Sequence, residues 1–175
     1  MNPVNVPQMI DDDDIDCPFP TFAPDGSLHG AEILEHIIYH AQISSAVMKD
    51  LISVKGRRKP PSVMAKTVQE LDARLEMWRN NLPQYLKPTL PLQTQNLAAG
   101  LHVEHKLWFY LAYYGTLSAI HSVFACPWNS PTDNVEPDNV VQEQMDRSVL
   151  LVADAARKVI LVTRSITVDA AAPVW

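Results

Sequence analysis

The chain has 175 residues, enough for one domain with a substantial hydrophobic core, and 47% of them are hydrophobic while 19% are charged. This balance argues against intrinsic disorder over most of the chain. The formal net charge is −6, and most of the excess comes from one N-terminal acidic run. The remainder is nearly neutral, so no basic face is predicted that would bind nucleic-acid phosphates.

The motifs that support most enzymatic chemistry are missing. No nucleophile elbow, glycine-rich dinucleotide motif or P-loop occurs. The two cysteines, Cys17 and Cys126, are too few for a zinc cluster or a disulfide framework. No secretory signal peptide is recognisable, so we expect both thiols to be free in a reducing compartment. We predict no enzyme active site and no catalytic, cofactor-binding or metal-binding residues.

The predicted elements are all helical and follow an extended lead-in rich in Pro and Asp, residues 1–27. Apolar residues then recur at helical spacing in four long segments separated by Pro-containing loops. These segments run roughly over Leu28 to Val54, Ser62 to Asn80, Leu97 to Ala125, and Asp138 to Ser165. The prediction is an all-α fold, an irregular bundle of about four long helices over residues 28–175, packed around the third.

Two of these helices have a clear apolar face. The face predicted for the second helix consists of Met64, Val68, Leu71, Leu75 and Trp78. The face predicted for the fourth consists of Val141, Met145, Val149, Val152, Ala156, Val159 and Ile160.

The third helix has an alternative interpretation. From Leu107 to Cys126 it carries no Asp, Glu, Lys or Arg, and 20 residues at ~1.5 Å each can span a ~30 Å bilayer core. However, Tyr113 and Tyr114 lie near its centre, whereas membrane tyrosines concentrate at the interfaces. We therefore predict a buried core helix and no membrane contact, with a single-span membrane protein as the alternative.

Several segments resemble one known family. Met9 to Pro20 is an acidic run with Asp-Ile-Asp that leads into Cys-Pro-Phe-Pro, and Leu71 to Pro83 contains spaced leucines, a tryptophan and Leu-Pro. Leu101 to Tyr110 contains Leu-His and aromatic positions, and an alanine-rich fourth helix follows. In this order they resemble the regulatory middle homology region of fungal zinc-cluster transcription factors. Ala125-Cys-Pro127 departs from the His-Arg-Pro often found there, and Val152 stands near the family's usual helix cysteine.

The resemblance implies a nuclear, all-helical regulatory domain that modulates transcription. In the family, DNA is bound by a separate N-terminal six-cysteine cluster that holds zinc, and this sequence contains no such cluster. We therefore expect a fragment of a regulator, which contacts DNA only through a missing domain and has protein partners. Because further helices of the family would follow Trp175, we also expect an exposed apolar surface near the fourth helix, with self-association. The alternative is a protein–protein interaction module or a dominant-negative remnant.

Four groups of residues are candidates for contacts. The acidic run is either a partner contact or a solvated segment, and it consists of Asp11, Asp12, Asp13, Asp14 and Asp16. A basic cluster is either a nuclear-import or phosphate contact or an ordinary exposed loop, and it consists of Lys55, Arg57, Arg58 and Lys59. His36 and His40 are spaced for a metal, with Glu32 one turn earlier, but a site needs more ligands. The other histidines have no fixed relation to this pair, so ordinary surface or partly buried histidines are the better account: His29, His102, His105 and His121. Aromatic residues on the third helix are pocket candidates or plain core: Trp108, Tyr110, Tyr113 and Tyr114.

Overall fold

The computed structural model describes residues 17–18, 28–89, 101–126 and 139–164. Within these ranges the chain forms helices and no β-strand, which confirms the all-α prediction with four long helices. The elements are α1 (Leu28–Val47), a π-helical segment (Met48–Ile52), α2 (Val54–Arg57), α3 (Pro61–Asn81), α4 (Val103–Ala125) and α5 (Asn139–Thr163).

Helix α4 is the centre of the bundle, as predicted. It contacts α1, the π-helical segment, α3 and α5. Its buried side chains lie on most sides of the helix and are Phe109, Tyr110, Tyr113, Tyr114, Thr116, Leu117, Ile120, His121, Val123 and Phe124. None of the helices that the structure describes is both long and apolar enough to cross a membrane.

Helix α3 has the predicted apolar face. Met64, Val68, Leu71, Leu75 and Trp78 are all buried. The helix begins at Pro61, where the missing amide hydrogen costs no helical bond. It ends before Leu82, which is extended because Pro83 follows it. The following turn packs onto α1, since the Tyr85 hydroxyl donates to the Glu32 carboxylate.

The first predicted helix differs from the structure in its last quarter. The α-helical part ends at Val47, and the chain continues as the π-helical segment before it breaks at Ser53. The break is stabilised locally: the Ser53 amide donates to the Met48 carbonyl at 2.8 Å, and the Ser53 hydroxyl accepts from the Gly56 amide at 2.9 Å. Ser53 therefore caps α2, which reverses the chain towards α3. Apolar periodicity alone did not show this cap.

Helix α4 begins later than predicted. Leu101 and His102 are not helical, and residues 97–100 lie outside the described residues. The helix start is fixed by two bonds between His102 and His105: the His102 amide donates to His105 Nδ1 at 3.2 Å, and the His105 amide donates to the His102 carbonyl at 3.2 Å. Helix α5 lies within two residues of its predicted bounds at each end.

The predicted apolar face of α5 is partly wrong. Val141 is buried, but Val149, Ala156 and Ile160 are exposed. The buried face instead consists of Val141, Gln144, Ser148, Ala155 and Val162. Helix α5 is therefore turned about its own axis relative to the predicted orientation. The reason is that Gln144 and Ser148 have hydrogen-bonding partners inside the core, which an apolar pattern does not reveal.

Gly56 is held against the π-helical segment. A Cβ placed on Gly56 would lie 2.6 Å from the Asp50 carbonyl oxygen and 2.9 Å from the Leu51 amide nitrogen. Both are backbone atoms, which cannot rotate away, so only glycine fits without a shift of the turn. Gly115 is the opposite case, an exposed helical glycine with nothing within 4 Å of such a Cβ.

We expect Gly56→Ala to lower the free energy of unfolding by about 1–3 kcal/mol, because the added methyl group overpacks a backbone contact. Gly115→Ala, the matched control, is expected to raise it by up to about 1 kcal/mol through helix propensity. Urea denaturation of the full chain, followed by circular dichroism, measures both. Equal effects of the two substitutions would contradict the close approach at Gly56.

Candidate functional site: a buried polar network between α3, α4 and α5

A group of polar side chains lies in the core where three helices meet. Asp72 comes from α3, His121 from α4, and Gln144 and Ser148 from α5. His121 and Ser148 have no exposed surface, and Gln144 and Asp72 are also buried. Because buried polar groups lose their hydration, most find hydrogen-bonding partners inside the protein. The exception here is His121 Nε2, which makes no hydrogen bond with any described residue.

The hydrogen bonds of this network run from the surface to the core. Gln69 Nε2 donates to Gln144 Oε1 at 3.2 Å, and Gln144 Nε2 donates to Ser148 Oγ at 3.0 Å. Ser148 Oγ lies 2.9 Å from His121 Nδ1. Since Ser148 already accepts from Gln144, its single hydroxyl proton is free to be donated to His121 Nδ1. In that arrangement the imidazole proton is on Nε2.

Asp72 supplies the negative charge on the other side of the ring. Its Oδ1 lies 3.6 Å from His121 Nε2, an electrostatic contact longer than a hydrogen bond. Its Oδ2 lies 2.6 Å from Nη2 of Arg147, whose side chain is 58% exposed. The guanidinium thus reaches in from the surface and compensates a buried carboxylate, which joins α3 directly to α5.

The contacts run from Ser148 to His121 to Asp72, as in a serine–histidine–aspartate catalytic triad. Unlike the residues of such a triad, however, they are not accessible to a substrate. A nucleophilic serine must contact its substrate, and a general base must exchange protons with it. Here neither Ser148 nor His121 has exposed surface, and the serine oxygen is bonded to Gln144. The arrangement can orient three helices, and it leaves no room for acyl transfer.

The sequence pattern did not reveal this network, because His121 has no fixed relation in the chain to other candidate ligands. A signal was present, since Gln144 and Ser148 are four residues apart on a helix that was expected to bury its apolar side. Two polar residues on one face predict a buried polar contact only when the partner helix is known.

We expect Ser148→Ala to lower the free energy of unfolding by about 1–3 kcal/mol, because it leaves His121 Nδ1 and the Gln144 amide without a partner inside the core. Ser118→Ala is the matched control, since the Ser118 hydroxyl donates only to the Tyr114 carbonyl within α4. Urea denaturation compares the two variants. A Ser148→Ala effect no larger than that of Ser118→Ala would show that the network contributes no stability.

His40 occupies a second buried position, between α1, α3 and α4. Its Nε2 lies 2.9 Å from Thr116 Oγ1 and 3.2 Å from the Ala112 carbonyl oxygen, and its ring contacts Trp78 and Trp108. Burial lowers the pKa of His40, and the bond to the Ala112 carbonyl opposes this only in part. His36 stays half-buried on α1. Among the described residues, no three His, Cys, Asp or Glu side chains come together as metal ligands.

The lowered pKa of His40 predicts a loss of stability in mild acid. The unfolded state binds a proton at a pKa of about 6.5, whereas the folded state binds it only at lower pH. Stability is therefore complete above about pH 6.5 and falls as the pH drops towards the folded pKa, by up to about 1.4 kcal/mol per unit. We expect His40→Gln to reduce the difference in Tm between pH 7.5 and pH 5.5.

The control for this prediction is His36→Gln, one turn earlier on α1, where the contact with Trp78 is made by the His36 backbone carbonyl. That variant is expected to keep the pH dependence of the wild type. An unchanged pH dependence in His40→Gln would show that another group causes it.

The aromatic pocket candidates on α4 are mainly core residues. Tyr110, Tyr113 and Tyr114 are buried, and Trp108 is 38% exposed. The Tyr113 hydroxyl donates to Glu76 and accepts from Arg79, and burial is the main reason that its pKa is raised. Burial, with the nearby Tyr114 and Asp154, likewise raises the pKa of Tyr110 to about 12.

The basic cluster lies on α2 and the turn after it. Lys59 Nζ lies 3.0 Å from Asp50 Oδ1, and Arg57 Nε donates to the Ile52 carbonyl at 3.0 Å. Lys55 and Arg58 are exposed. Half of the cluster therefore stabilises the turn, and its role in nuclear import or phosphate contact stays a prediction. The acidic run, from Asp11 to Asp16, lies outside the described residues.

Comparison with known proteins gives two fungal relatives. The chain is 27% identical over 139 residues to an ABC-transporter-regulating transcription factor of Aspergillus fumigatus and, equally, to one of Aspergillus oryzae. Each alignment covers 73% of this chain and 15% of the relative, so the chain corresponds to a small part of those proteins. No protein-family model and no solved structure matches the chain.

Proposed function

We propose that the chain is part of the regulatory domain of a fungal transcription factor, acts in the nucleus and does not itself contact DNA. The observation that carries the proposal is the similarity to two transcription factors over 73% of the chain. The motifs that resemble the middle homology region of zinc-cluster factors support the finer assignment. The relatives' names assign the regulation of ABC transporters to those proteins, and for this chain we propose regulation of transcription.

The physical character of the described residues fits such a role. Buried hydrogen bonds and ion pairs join the helices, so these contacts fix how the helices pack and the shape of the folded domain. The formal charge of −6 disfavours binding to the DNA backbone. A domain of this kind acts through contacts with other protein segments, with DNA binding and zinc supplied by a separate cluster elsewhere in a regulator.

A protein–protein interaction module is the second candidate. One observation favours it: α5 exposes several large apolar side chains, including Leu150 at 71% and Ile160 at 63%. Large contiguous apolar patches on a protein surface often mark sites of contact with other proteins. The two candidates are compatible, because a regulatory domain also works by binding other segments.

A reporter assay tests the regulatory role. The full chain is inserted between a heterologous DNA-binding domain and an activation domain in a fungal host, and reporter output is measured at matched protein levels. We expect the chain to change output at least twofold relative to an unrelated helical domain of equal length, because it constrains access to the activation domain. Equal output from the two insertions would contradict a regulatory role.

A variant with a weakened core sharpens the assay. Ser148→Ala loosens the packing of α5, so we expect its reporter output to move towards that of the unrelated insertion, whereas Ser118→Ala keeps the wild-type output. A response that is the same for all three forms of the chain would show that reporter output does not depend on this fold.

A further inference from the structure

Helix α5 has two apolar faces, and only one of them is buried. The buried face contains Val141, Ala155 and Val162. At 100° per residue, a second group of apolar residues lies on the opposite side of the helix. We name this group the outer stripe, and it consists of Val149, Leu150, Ala153, Ala156, Ile160 and Leu161. Its four large side chains are between 46% and 71% exposed.

The outer stripe is nearly symmetric about Ala155. Val149 and Leu150 lie six and five residues before Ala155, and Ile160 and Leu161 lie five and six residues after it. Val149 and Ile160 are on one flank of the stripe, while Leu150 and Leu161 are on the other. A two-fold axis perpendicular to the helix at this level would therefore place like flanks against each other.

The ends of the stripe carry opposite charges at equal distances from its centre. Asp146 lies nine residues before Ala155, on the midline of the stripe, and Arg164 lies nine residues after it, in the turn that directly follows the last helical residue, Thr163. Both are exposed. Asp146 accepts a hydrogen bond from Gln142 at 3.0 Å, which orients the carboxylate and leaves its charge in place. When two such helices lie antiparallel, each Asp146 meets the Arg164 of the other.

We propose that the outer stripe binds a second copy of this chain through an antiparallel contact between the two α5 helices. In this register Val149 packs beside Ile160 of the second copy, and Leu150 packs beside Leu161 of the second copy. Asp146 pairs with Arg164 of the second copy at both ends. The charges determine the occupant, since an unrelated apolar partner would match the stripe without matching both ends.

A charged residue, Arg157, can be accommodated at the centre of the proposed contact. Arg157 lies on the midline near the axis, opposite the small Ala153 of the second copy. In the antiparallel register its guanidinium is next to Asp154 of the second copy. Within one chain, Asp154 Oδ2 lies 2.6 Å from Lys158 Nζ, and this half-exposed carboxylate can accept from a second donor.

The expected dimer is weak. Residues 146–163 span about 27 Å of helix, and one helix pair of this length buries on the order of 1,000 Å², the low end for specific interfaces. Dissociation in the micromolar range follows, so association depends on concentration. This inference concerns the folded chain and does not rest on the proposed regulatory function.

Sedimentation equilibrium of the full chain, from about 5 to 500 µM, tests the proposal. We expect the wild type to dimerise. Asp146→Arg places two arginines together at each end and Arg164→Asp places two aspartates together, so each alone is expected to weaken dimerisation at least tenfold. An equimolar mixture of the two variants restores opposite charges at both ends, and so does the double variant. Both are expected to recover wild-type affinity.

Two further variants separate the interface from general effects. Leu150→Lys removes an exposed apolar side chain and is expected to abolish dimerisation while circular dichroism shows an intact fold. Arg74→Asp changes an exposed charge on α3, away from the stripe, and is expected to leave dimerisation unchanged.

A wild-type chain that stays monomeric throughout the range overturns the proposal. The same holds if the wild type is monomeric but a variant without residues 166–175 dimerises, because that segment would then be the occupant of the outer stripe. A dimer that tolerates both charge reversals, or that the mixture of reversals fails to restore, also overturns it, because the contact would then use another register or surface.

Discussion

The hydration lost by the imidazole of His121 is the constraint on which the arrangement of α3, α4 and α5 depends. A fully buried imidazole loses its hydration on both sides of the ring, and the polar groups that face His121 come from different helices. Its Nδ1 is hydrogen-bonded, whereas its Nε2 makes no hydrogen bond with any described residue. Ser148 on α5 provides one at 2.9 Å, and the carboxylate of Asp72 on α3 lies 3.6 Å from the other nitrogen. This requirement gives α5 its rotation about its own axis and places Gln144 inside the core.

The rotation of α5 has a consequence on the other side of the helix. If the most apolar residues of α5 faced the core, its outer side would be polar. Instead, Ser148 and Gln144 occupy buried positions, and Val149, Leu150, Ile160 and Leu161 are exposed. The buried polar network and the outer stripe are therefore two results of one packing arrangement. In a regulator, a surface of this kind is suited to contacts with other protein segments.

The reversal between α1 and α3 depends on backbone atoms more than on side-chain burial. The π-helical segment, the Ser53 cap and the close approach of Gly56 to Asp50 form one short unit of local hydrogen bonds. It leads α3 back towards α1 and α4, where Trp78 donates to the His36 carbonyl at 2.9 Å. Basic residues of this turn are partly engaged by the same unit, since Lys59 pairs with Asp50.

The sequence by itself determined the fold class, the long helices and the burial of α4, because apolar spacing and proline positions act locally along the chain. It also predicted the apolar face of α3, from Met64 to Trp78. The tertiary structure decided the break at Ser53, the partners of His40 and His121, and the rotation of α5. The break at Ser53 depends on hydrogen bonds between near neighbours, which apolar spacing does not show. The other two depend on contacts between residues far apart in the chain, up to 76 positions for His40 and Thr116. Periodicity carries no information about such partners, so only the packed structure could identify them.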